Sequence, residues 1–230
     1  PNKEWNNLPT VYTHGYGVVA SYGNRRQVSG EPDWLAQDIP QTGRLTVAEP
    51  RIYYGEQQTA FAVVGRPEGK GGVPIGNFGN RLLYATRFAD VNLLLSDRVN
   101  SESRILYQRT PRERVRQVAP WLTPDSDIYP ALVGGRIVWI VDAYTTTAHY
   151  PNSRNTSLRN AITDAINTGQ TIGTDTTINY MRNSVKATVD AYDGTVTLYA
   201  WDEQDPLLQT WMKVYPGTVQ PASQISAELR

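Results

Sequence analysis

The chain has 230 residues, of which 22 are basic and 22 are acidic, so its formal net charge at pH 7 is zero. A balanced charge gives no overall positive field that would attract nucleic acid or an anionic membrane surface, so we expect no nucleic-acid partner. Cysteine is absent, which excludes disulfides, thiolate catalysis and cysteine-based zinc or iron–sulfur sites.

The first third of the chain is predicted to be irregular and rich in short strands. Residues 21–33 and 65–76 are expected to be loops, because glycine, proline and polar residues dominate them. The strands are expected where β-branched and aromatic residues recur, at 10–20, 44–47, 52–54 and 59–64. Glycines within the first of these strands indicate a bulge or a close backbone approach.

Four helices are predicted from apolar residues of helical period and from capping signals. They are expected at about 77–90, 111–119, 156–168 and 206–215. Thr110 and Glu113 form a capping box at the start of the second helix. Asp205 is the expected N-cap of the last helix, and Pro206 suits its first position.

Two hairpins are predicted in the second half of the chain, where apolar and polar residues alternate. The strands are expected at 131–133 and 136–145 in one hairpin and at 184–192 and 195–201 in the other. Gly134-Gly135 is expected to turn the first hairpin. Asp193-Gly194 is expected to form a two-residue type I′ turn in the second, because this dipeptide suits left-handed dihedral angles.

The fold class predicted from these elements is α+β, an antiparallel sheet built from hairpins with several helices packed against it. The string VDAY occurs in both hairpins, at 141–144 and 189–192, which favours neighbouring positions for those two strands in one sheet. A single domain is predicted over 1–230. The alternative is a subdivision near 65–76 into an N-terminal strand-rich part and a C-terminal α+β part.

Motifs that carry chemistry are weak in this sequence. Lys70 lies between two glycines and superficially suggests a phosphate loop, but the P-loop spacing is not met, so a surface or lid loop is expected. The histidines, His14 and His149, form no recognisable metal-ligand pair. His14 lies between Tyr12 and Tyr16, and it is expected either to line a pocket or to be a hydrogen-bonded structural residue. No serine stands in a nucleophile motif, so no catalytic residue is assigned.

Several carboxylates lie on or just beyond the second hairpin, where they could together bind a hard cation such as calcium. Turn, helix-cap and solvated-surface roles explain the same side chains, so no metal site and no cofactor are assigned. These carboxylates are Asp190, Asp193, Asp202, Glu203 and Asp205. The candidate binding residues of the whole chain are Tyr12, His14, Tyr16, Lys70, Asp142 and Asp190.

Long and idiosyncratic strings run along the chain, among them IYYGE, GRIVWIVDAYTT and INYMRNSVKATVDAYDGTVTLYAWDEQDP. They resemble the uncharacterised protein family numbered 0182 in the UPF series, in its actinobacterial form, over nearly the whole chain. The resemblance implies a large multi-pass protein of the cell membrane, with N-terminal transmembrane helices and a soluble extracytoplasmic region that contains this chain. It implies a longer loop in relatives at 65–71 and no known activity. No apolar run here reaches the roughly 20 residues that span a bilayer, so the chain itself is expected to be soluble.

Three functions remain open from the sequence. The lack of a catalytic motif and the balanced charge favour a non-catalytic interaction domain, whose partner is an envelope component, another membrane protein or its own transmembrane region. A cell-envelope hydrolase or transferase would need converging carboxylates, about 5–9.5 Å apart in a glycosidase. A ligand-sensing or transport-associated binding module would have a groove lined by tyrosines and tryptophans without such an acidic pair.

Overall fold

The structure, a computed structural model, describes residues 5, 7–58, 60–65, 71–158 and 176–229. The chain divides into two units that interleave in sequence. Unit 1 comprises Pro1–Thr110, Leu132–Ile137 and Asp190–Thr195, and unit 2 comprises Pro111–Ala131, Val138–Val189 and Val196–Arg230. Whether the chain acts as a single domain stays a prediction.

Short strands and helices make up the described part of the chain up to Thr110. In chain order they are β1 (Gly15–Tyr16), β2 (Ala20–Arg26), β3 (Pro32–Gln37), β4 (Thr42–Gly43), β5 (Arg51–Ile52), β6 (Ala62–Gly65), β7 (Val73–Pro74), α1 (Phe78–Phe88), α2 (Asn92–Leu95) and β8 (Ser103–Leu106). The strands form small antiparallel sheets with the orders β1-β5, β2-β3-β4 and β6-β8-β7.

The observed strands correct the prediction for this region. The predicted loop at 21–33 is wrong, because β2 and β3 form an antiparallel pair there. The predicted strand at 44–47 is also wrong, and of the one at 10–20 only β1 and the first residue of β2 are strand. The strands predicted at 52–54 and 59–64 overlap β5 and β6. Since β2 is largely exposed along its length, it lacks the alternation that signals a half-buried strand.

Helix α1 confirms the helix predicted at 77–90. It begins after Asn77, whose side-chain oxygen accepts a hydrogen bond from the backbone N–H of Asn80 at 2.8 Å. Its inner face packs through Ala85 on the apolar core of unit 1, which contains Val63, Ile75, Leu93, Val99 and Ile105. Phe78, Leu82 and Leu83 of the same helix are exposed. The predicted apolar face is therefore buried only in part.

Longer strands dominate the chain after Thr110. In chain order the elements are α3 (Pro111–Val118), β9 (Leu122–Val133), β10 (Arg136–Thr147), β11 (Thr156–Ser157), β12 (Thr177–Ile178), β13 (Tyr180–Asp190), β14 (Val196–Ala200), α4 (Pro206–Val214) and β15 (Val219–Gln220). Two 3-10 turns follow, at Ala222–Gln224 and Ala227–Leu229. A five-stranded sheet has the order β15-β14-β13-β10-β9, with β13 and β14 antiparallel and β15 parallel to β14.

One face of this sheet forms the core of unit 2. Alternate residues of β13 and β14 are buried there, namely Val185, Ala187, Val189, Leu198 and Ala200. Val115 of α3 and Leu208 of α4 belong to the same core, so helices cover this face. The α+β fold, the helices at 111–119 and 206–215 and the adjacent VDAY strands are thereby confirmed. Of the helices described, none has the length and hydrophobicity to cross a bilayer.

The helix predicted at 156–168 is wrong at its start, because β11 forms there and pairs with β12. Residues 159–175 lie outside the described residues, and with them the remainder of that prediction. The hairpin between β9 and β10 is confirmed. Gly134 and Gly135 supply its two-residue turn, with φ angles of 55° and 73°.

The hairpin between β13 and β14 is confirmed, but its predicted two-residue turn is wrong. Strand β13 ends at Asp190, whose carboxylate accepts hydrogen bonds from the backbone N–H groups of Tyr192 at 2.8 Å and Asp193 at 3.0 Å. Because these two N–H groups bond to the Asp190 side chain, they cannot pair with the neighbouring strand. The turn therefore begins before the predicted Asp193-Gly194 pair. The turn spans 191–194, and of the predicted pair only Gly194 has a positive φ, 73°.

Candidate functional site

A row of three aromatic rings lies in unit 1. The ring centre of His14 is 4.8 Å from that of Tyr53, and Tyr53 meets Tyr192 edge-on with 5.6 Å between ring centres. The pairing of β1 with β5, in which Gly15 faces Ile52, places His14 beside Tyr53. Tyr53 is also held to the turn after β13, since its backbone N–H donates to the carbonyl of Ala191 at 2.8 Å.

Two arginines flank the last ring of this row. The guanidinium carbons of Arg51 and Arg136 lie 5.0 and 5.4 Å from the ring centre of Tyr192, within the range of cation–π attraction. Arg51 donates two hydrogen bonds to the carboxylate of Glu49, at 2.7 and 2.8 Å. Arg136 donates two to the carboxylate of Asp190, both at 2.8 Å. We call His14, Tyr53, Tyr192, Arg51 and Arg136 the aromatic–arginine cluster.

The charges of the two ion pairs beside Tyr192 are fixed around neutral pH. Hydrogen bonds from Arg51 hold the pKa of Glu49 below its usual value, and the same bonds raise the pKa of Arg51. Burial acts to raise the pKa of Asp190, but the hydrogen bonds from Arg136 and from the turn amides outweigh it, so this pKa is also lowered. Neither carboxylate can therefore release or take up a proton near pH 7.

Asp190→Asn is expected to lower the free energy of unfolding at neutral pH by about 1 kcal/mol, because it removes a paired charge and keeps an acceptor for the turn amides. The pKa of Asp190 is lower in the folded protein than in the unfolded chain, where it is about 4. The stabilisation by its ionised carboxylate is therefore complete above about pH 4 and is lost as the pH falls through the folded-state pKa. Urea unfolding at a series of pH values measures it. The control, Asp33→Asn, removes the partner of the exposed Arg44 and should cost less. A wild-type advantage that persists unchanged below the folded pKa would contradict this account.

Arg109 forms hydrogen bonds to the backbone segments next to His14 and at Tyr53. Its guanidinium is almost fully buried and donates to the backbone carbonyls of Tyr53 at 2.8 Å, Ala60 at 3.2 Å and Thr13 at 2.5 Å. Burial lowers the pKa of Arg109 to about 10. These three carbonyl oxygens accept the hydrogen bonds of the buried guanidinium, a role that a carboxylate often has.

The structure brings together some of the predicted site residues. His14 lies in the cluster, and Asp190 is paired with one of its arginines. Tyr12 and Tyr16, on either side of His14, are exposed by 53% and 42%. Asp142 lies in unit 2, where it forms an ion pair with Lys186. Lys70 lies outside the described residues. Sequence reasoning missed Arg51, Tyr53, Arg109, Arg136 and Tyr192, whose isolated positions carry no motif.

The carboxylates that suggested calcium binding have other roles. Asp205 caps α4, Asp202 pairs with Arg182 at 2.7 Å, and Asp193 accepts from the backbone N–H of Thr195 at 2.8 Å. Within the part of the chain that the structure describes, no three histidine, aspartate or glutamate side chains are grouped so as to hold a metal ion.

Comparison with known proteins identifies one family over the whole chain. The sequence profile described as "Uncharacterised protein family (UPF0182)" matches residues 1–230. A UPF0182 protein of Kineococcus radiotolerans is 48% identical over 99% of this chain and 24% of its own length. UPF0182 proteins of Paenarthrobacter aurescens and Bifidobacterium longum are 47% and 46% identical, over 98% and 99% of this chain and 26% and 24% of their lengths. The chain spans about a quarter of the length of these curated relatives. No solved structure matches it.

Proposed function

The chain belongs to the uncharacterised protein family UPF0182, and from that premise we propose that it is a non-catalytic interaction domain of a larger protein. In this proposal the parent is a multi-pass protein of the cell membrane, and this segment lies on its extracytoplasmic side. The partner is an envelope component, another membrane protein or the parent's own transmembrane region. About three quarters of each matched relative lies outside the region matched here, which leaves length for such a membrane part.

The observation that carries the proposal is an exposed surface beside the aromatic–arginine cluster. Along 11–19, the exposed side chains are Val11, Tyr12, His14, Tyr16 and Val19. Tyrosine and arginine are enriched where proteins bind one another, because a rigid ring or a planar guanidinium gives a large contact at a low cost in side-chain entropy. A purely structural strand does not require tyrosines that face solvent.

Two observations speak against a hydrolase. Glu49 and Asp190, the partners of the cluster's arginines, are held ionised by them, so neither is suited to act as a general acid near neutral pH. A cavity in unit 2, lined by residues of β9, β10, β13 and β14 and of the segment 225–229, has one carboxyl group among its lining residues, that of Glu228. A glycosidase needs two that face the same bond.

The test is partner capture by the whole protein that contains this chain. Tyr12→Ala combined with Tyr16→Ala is expected to reduce recovery of the partner from detergent-solubilised envelopes on the order of ten-fold, because two exposed ring contacts are lost. Quantitative mass spectrometry and glycan analysis of the captured material measure the recovery. Tyr215→Ala is the matched control, since Tyr215 is 47% exposed and lies in unit 2.

Recovery that falls in the double variant and not in the control supports the proposal. Equal recovery in all three proteins, with unchanged melting curves, rejects the 11–19 surface as the binding surface. Turnover of envelope polysaccharide or peptide by the wild-type protein would instead favour the hydrolase.

A further inference from the structure

A cavity of about 260 Å³ lies in unit 2, on the sheet face opposite the helices. Side chains alternate along a strand, so Lys186 and Thr188 of β13 point away from the core residues of the same strand and line the cavity. Tyr199 of β14 and Trp201, one residue beyond it, do the same. The segment of the 3-10 turns contributes Ile225, Glu228 and Leu229. The cavity therefore has a fixed floor of strands and a wall from the following segment.

Three aromatic side chains, those of Tyr129, Tyr199 and Trp201, line this cavity. Trp201 is 49% exposed and Tyr129 of β9 is 46% exposed. Tyr199 of β14 lies directly across from Lys186 in the β13–β14 register. Ile140 of β10 is buried beneath them. Such rings present flat apolar faces with a partial negative charge, together with polar edges.

The charged side chains that line the cavity are Lys186 and Glu228, one cation and one anion. Lys186 forms an ion pair with Asp142 of β10, and its ammonium nitrogen lies 5.0 Å from the ring centre of Trp201. Lys186 is the one positively charged side chain among the described lining residues, and its charge is offset by Asp142. The cavity therefore offers no excess positive charge for an anionic ligand. A purely apolar ligand would cover this ion pair and the hydroxyl of Thr188 without returning hydrogen bonds, which is costly.

The chemistry that satisfies both sets of groups is that of a sugar. The C–H groups on one face of a sugar ring carry a small positive charge and pack on the negative face of an aromatic ring. Its hydroxyls can accept from Lys186 and donate to Glu228. The volume lies just below the roughly 300–1,000 Å³ of drug-sized sites, so it suits one or two sugar rings.

We propose that this cavity binds a neutral sugar, supplied either free or as the end of a glycan chain. The site goes beyond the interaction surface of unit 1, because the two involve different residues and either can fail alone. Trp201 and Tyr129 offer rings for stacking, and the polar groups of Lys186, Thr188 and Glu228 orient the sugar.

The test is titration of the 230-residue chain with neutral sugars, followed by tryptophan fluorescence and by saturation-transfer NMR of the sugar. Glucose, galactose, mannose, arabinose and maltose are the free-sugar probes, and maltotetraose and a mannan oligosaccharide are the glycan probes. At least one is expected to bind saturably with a dissociation constant on the order of 1 mM, as befits a small half-open site. Tighter binding of an oligosaccharide indicates a glycan, and equal or weaker binding indicates a free sugar.

Variants locate the binding. Trp201→Leu and Tyr129→Leu are each expected to weaken it about ten-fold, because each removes a stacking ring. Tyr215→Leu, an exposed tyrosine outside the lining, is expected to bind as the wild type does. Melting curves identify any variant that is not folded. Tyr129 belongs to β9 and Trp201 follows β14, so if one ring variant fails to fold, the other still provides the test.

Binding that depends on both rings supports the proposal. Absence of saturable binding by every sugar overturns it, and so does unchanged affinity in both ring variants. Decanoate or inorganic phosphate are the competing probes. Saturable binding of either one that is lost in Trp201→Leu, without sugar binding, assigns the cavity to an apolar chain or an anion and overturns the proposal as well.

Discussion

Asp205→Ala is expected to lower the free energy of unfolding by about 3–5 kcal/mol, a large share of the stability of an ordinary domain. The carboxylate of Asp205 is fully buried in unit 2. It accepts hydrogen bonds from the hydroxyls of Thr145 at 2.5 Å, Ser184 at 2.6 Å and Tyr180 at 2.6 Å, and from the backbone N–H groups of Leu207 at 3.1 Å and Leu208 at 3.3 Å.

The size of this effect follows from what is left unpaired. Burial acts to raise the pKa of Asp205, but the hydrogen bonds from Ser184, Thr145 and Tyr180 outweigh it, so the pKa is lowered and the side chain is ionised at neutral pH. Alanine removes the N-cap of α4 and leaves buried hydroxyls and amides without their acceptor.

Urea unfolding followed by circular dichroism measures this loss. Asp202→Ala is the matched control, because Asp202 is a nearby carboxylate with a partly exposed arginine partner and should cost below about 1 kcal/mol. Asp205→Asn should fall between the two, since an amide can still accept from part of the network. A cost for Asp205→Ala no larger than that for Asp202→Ala would show that the network is not a source of stability.

Gly194→Ala is expected to cost about 2–4 kcal/mol, which combines the strain of a side chain at positive φ with a steric collision. Gly194 has a φ of 73°, and a Cβ at this position would lie 2.7 to 2.8 Å from ring carbons of Tyr54. Tyr54 is buried to 1% exposure, so its ring has little freedom to move aside. The turn and the ring therefore fit only when no side chain lies between them.

Gly217→Ala separates the two contributions. Gly217 has a φ of 79° and open space around the position of a Cβ, so alanine there adds only the strain of the backbone, about 1 kcal/mol. Thermal and urea unfolding of both variants give the difference. Equal losses of unfolding free energy in the two variants would mean that the Tyr54 ring moves aside to accommodate a Cβ at position 194. Contact with this ring would then not constrain the turn.

Elements with strong local signals could be predicted from the sequence. Helix α4 follows from Asp205 and Pro206, and the β13–β14 hairpin follows from its alternation. Strands β2 and β3 were not predicted, because β2 is largely exposed and its sequence does not alternate between apolar and polar residues along its length. The start of the turn at Asp190 was not predicted either, because it depends on side-chain capture of two amides that an Asp-Gly rule does not consider.

The candidate site was predictable only in part. The tyrosines around His14 stand out in the sequence, because a histidine between two tyrosines and beside a glycine is unusual in a plain strand. The contact of His14 with Tyr53, and of Tyr53 with Tyr192, joins segments that are far apart in the chain. The cavity of unit 2 likewise depends on which residues share one face of a sheet, so it needs the strand order as well as the alternation.

The interleaved composition of unit 1 has a consequence for its synthesis. Residues 132–137 and 190–195 belong to that unit, and the backbone N–H groups of Tyr53 and Tyr54 bond to the carbonyl of Ala191, at 2.8 and 2.9 Å. Proteins commonly fold from the N-terminus while the ribosome makes them, at about 5–20 residues per second. Here Tyr53 and Tyr54 can form these bonds only after Ala191 has been synthesised, more than a hundred residues later.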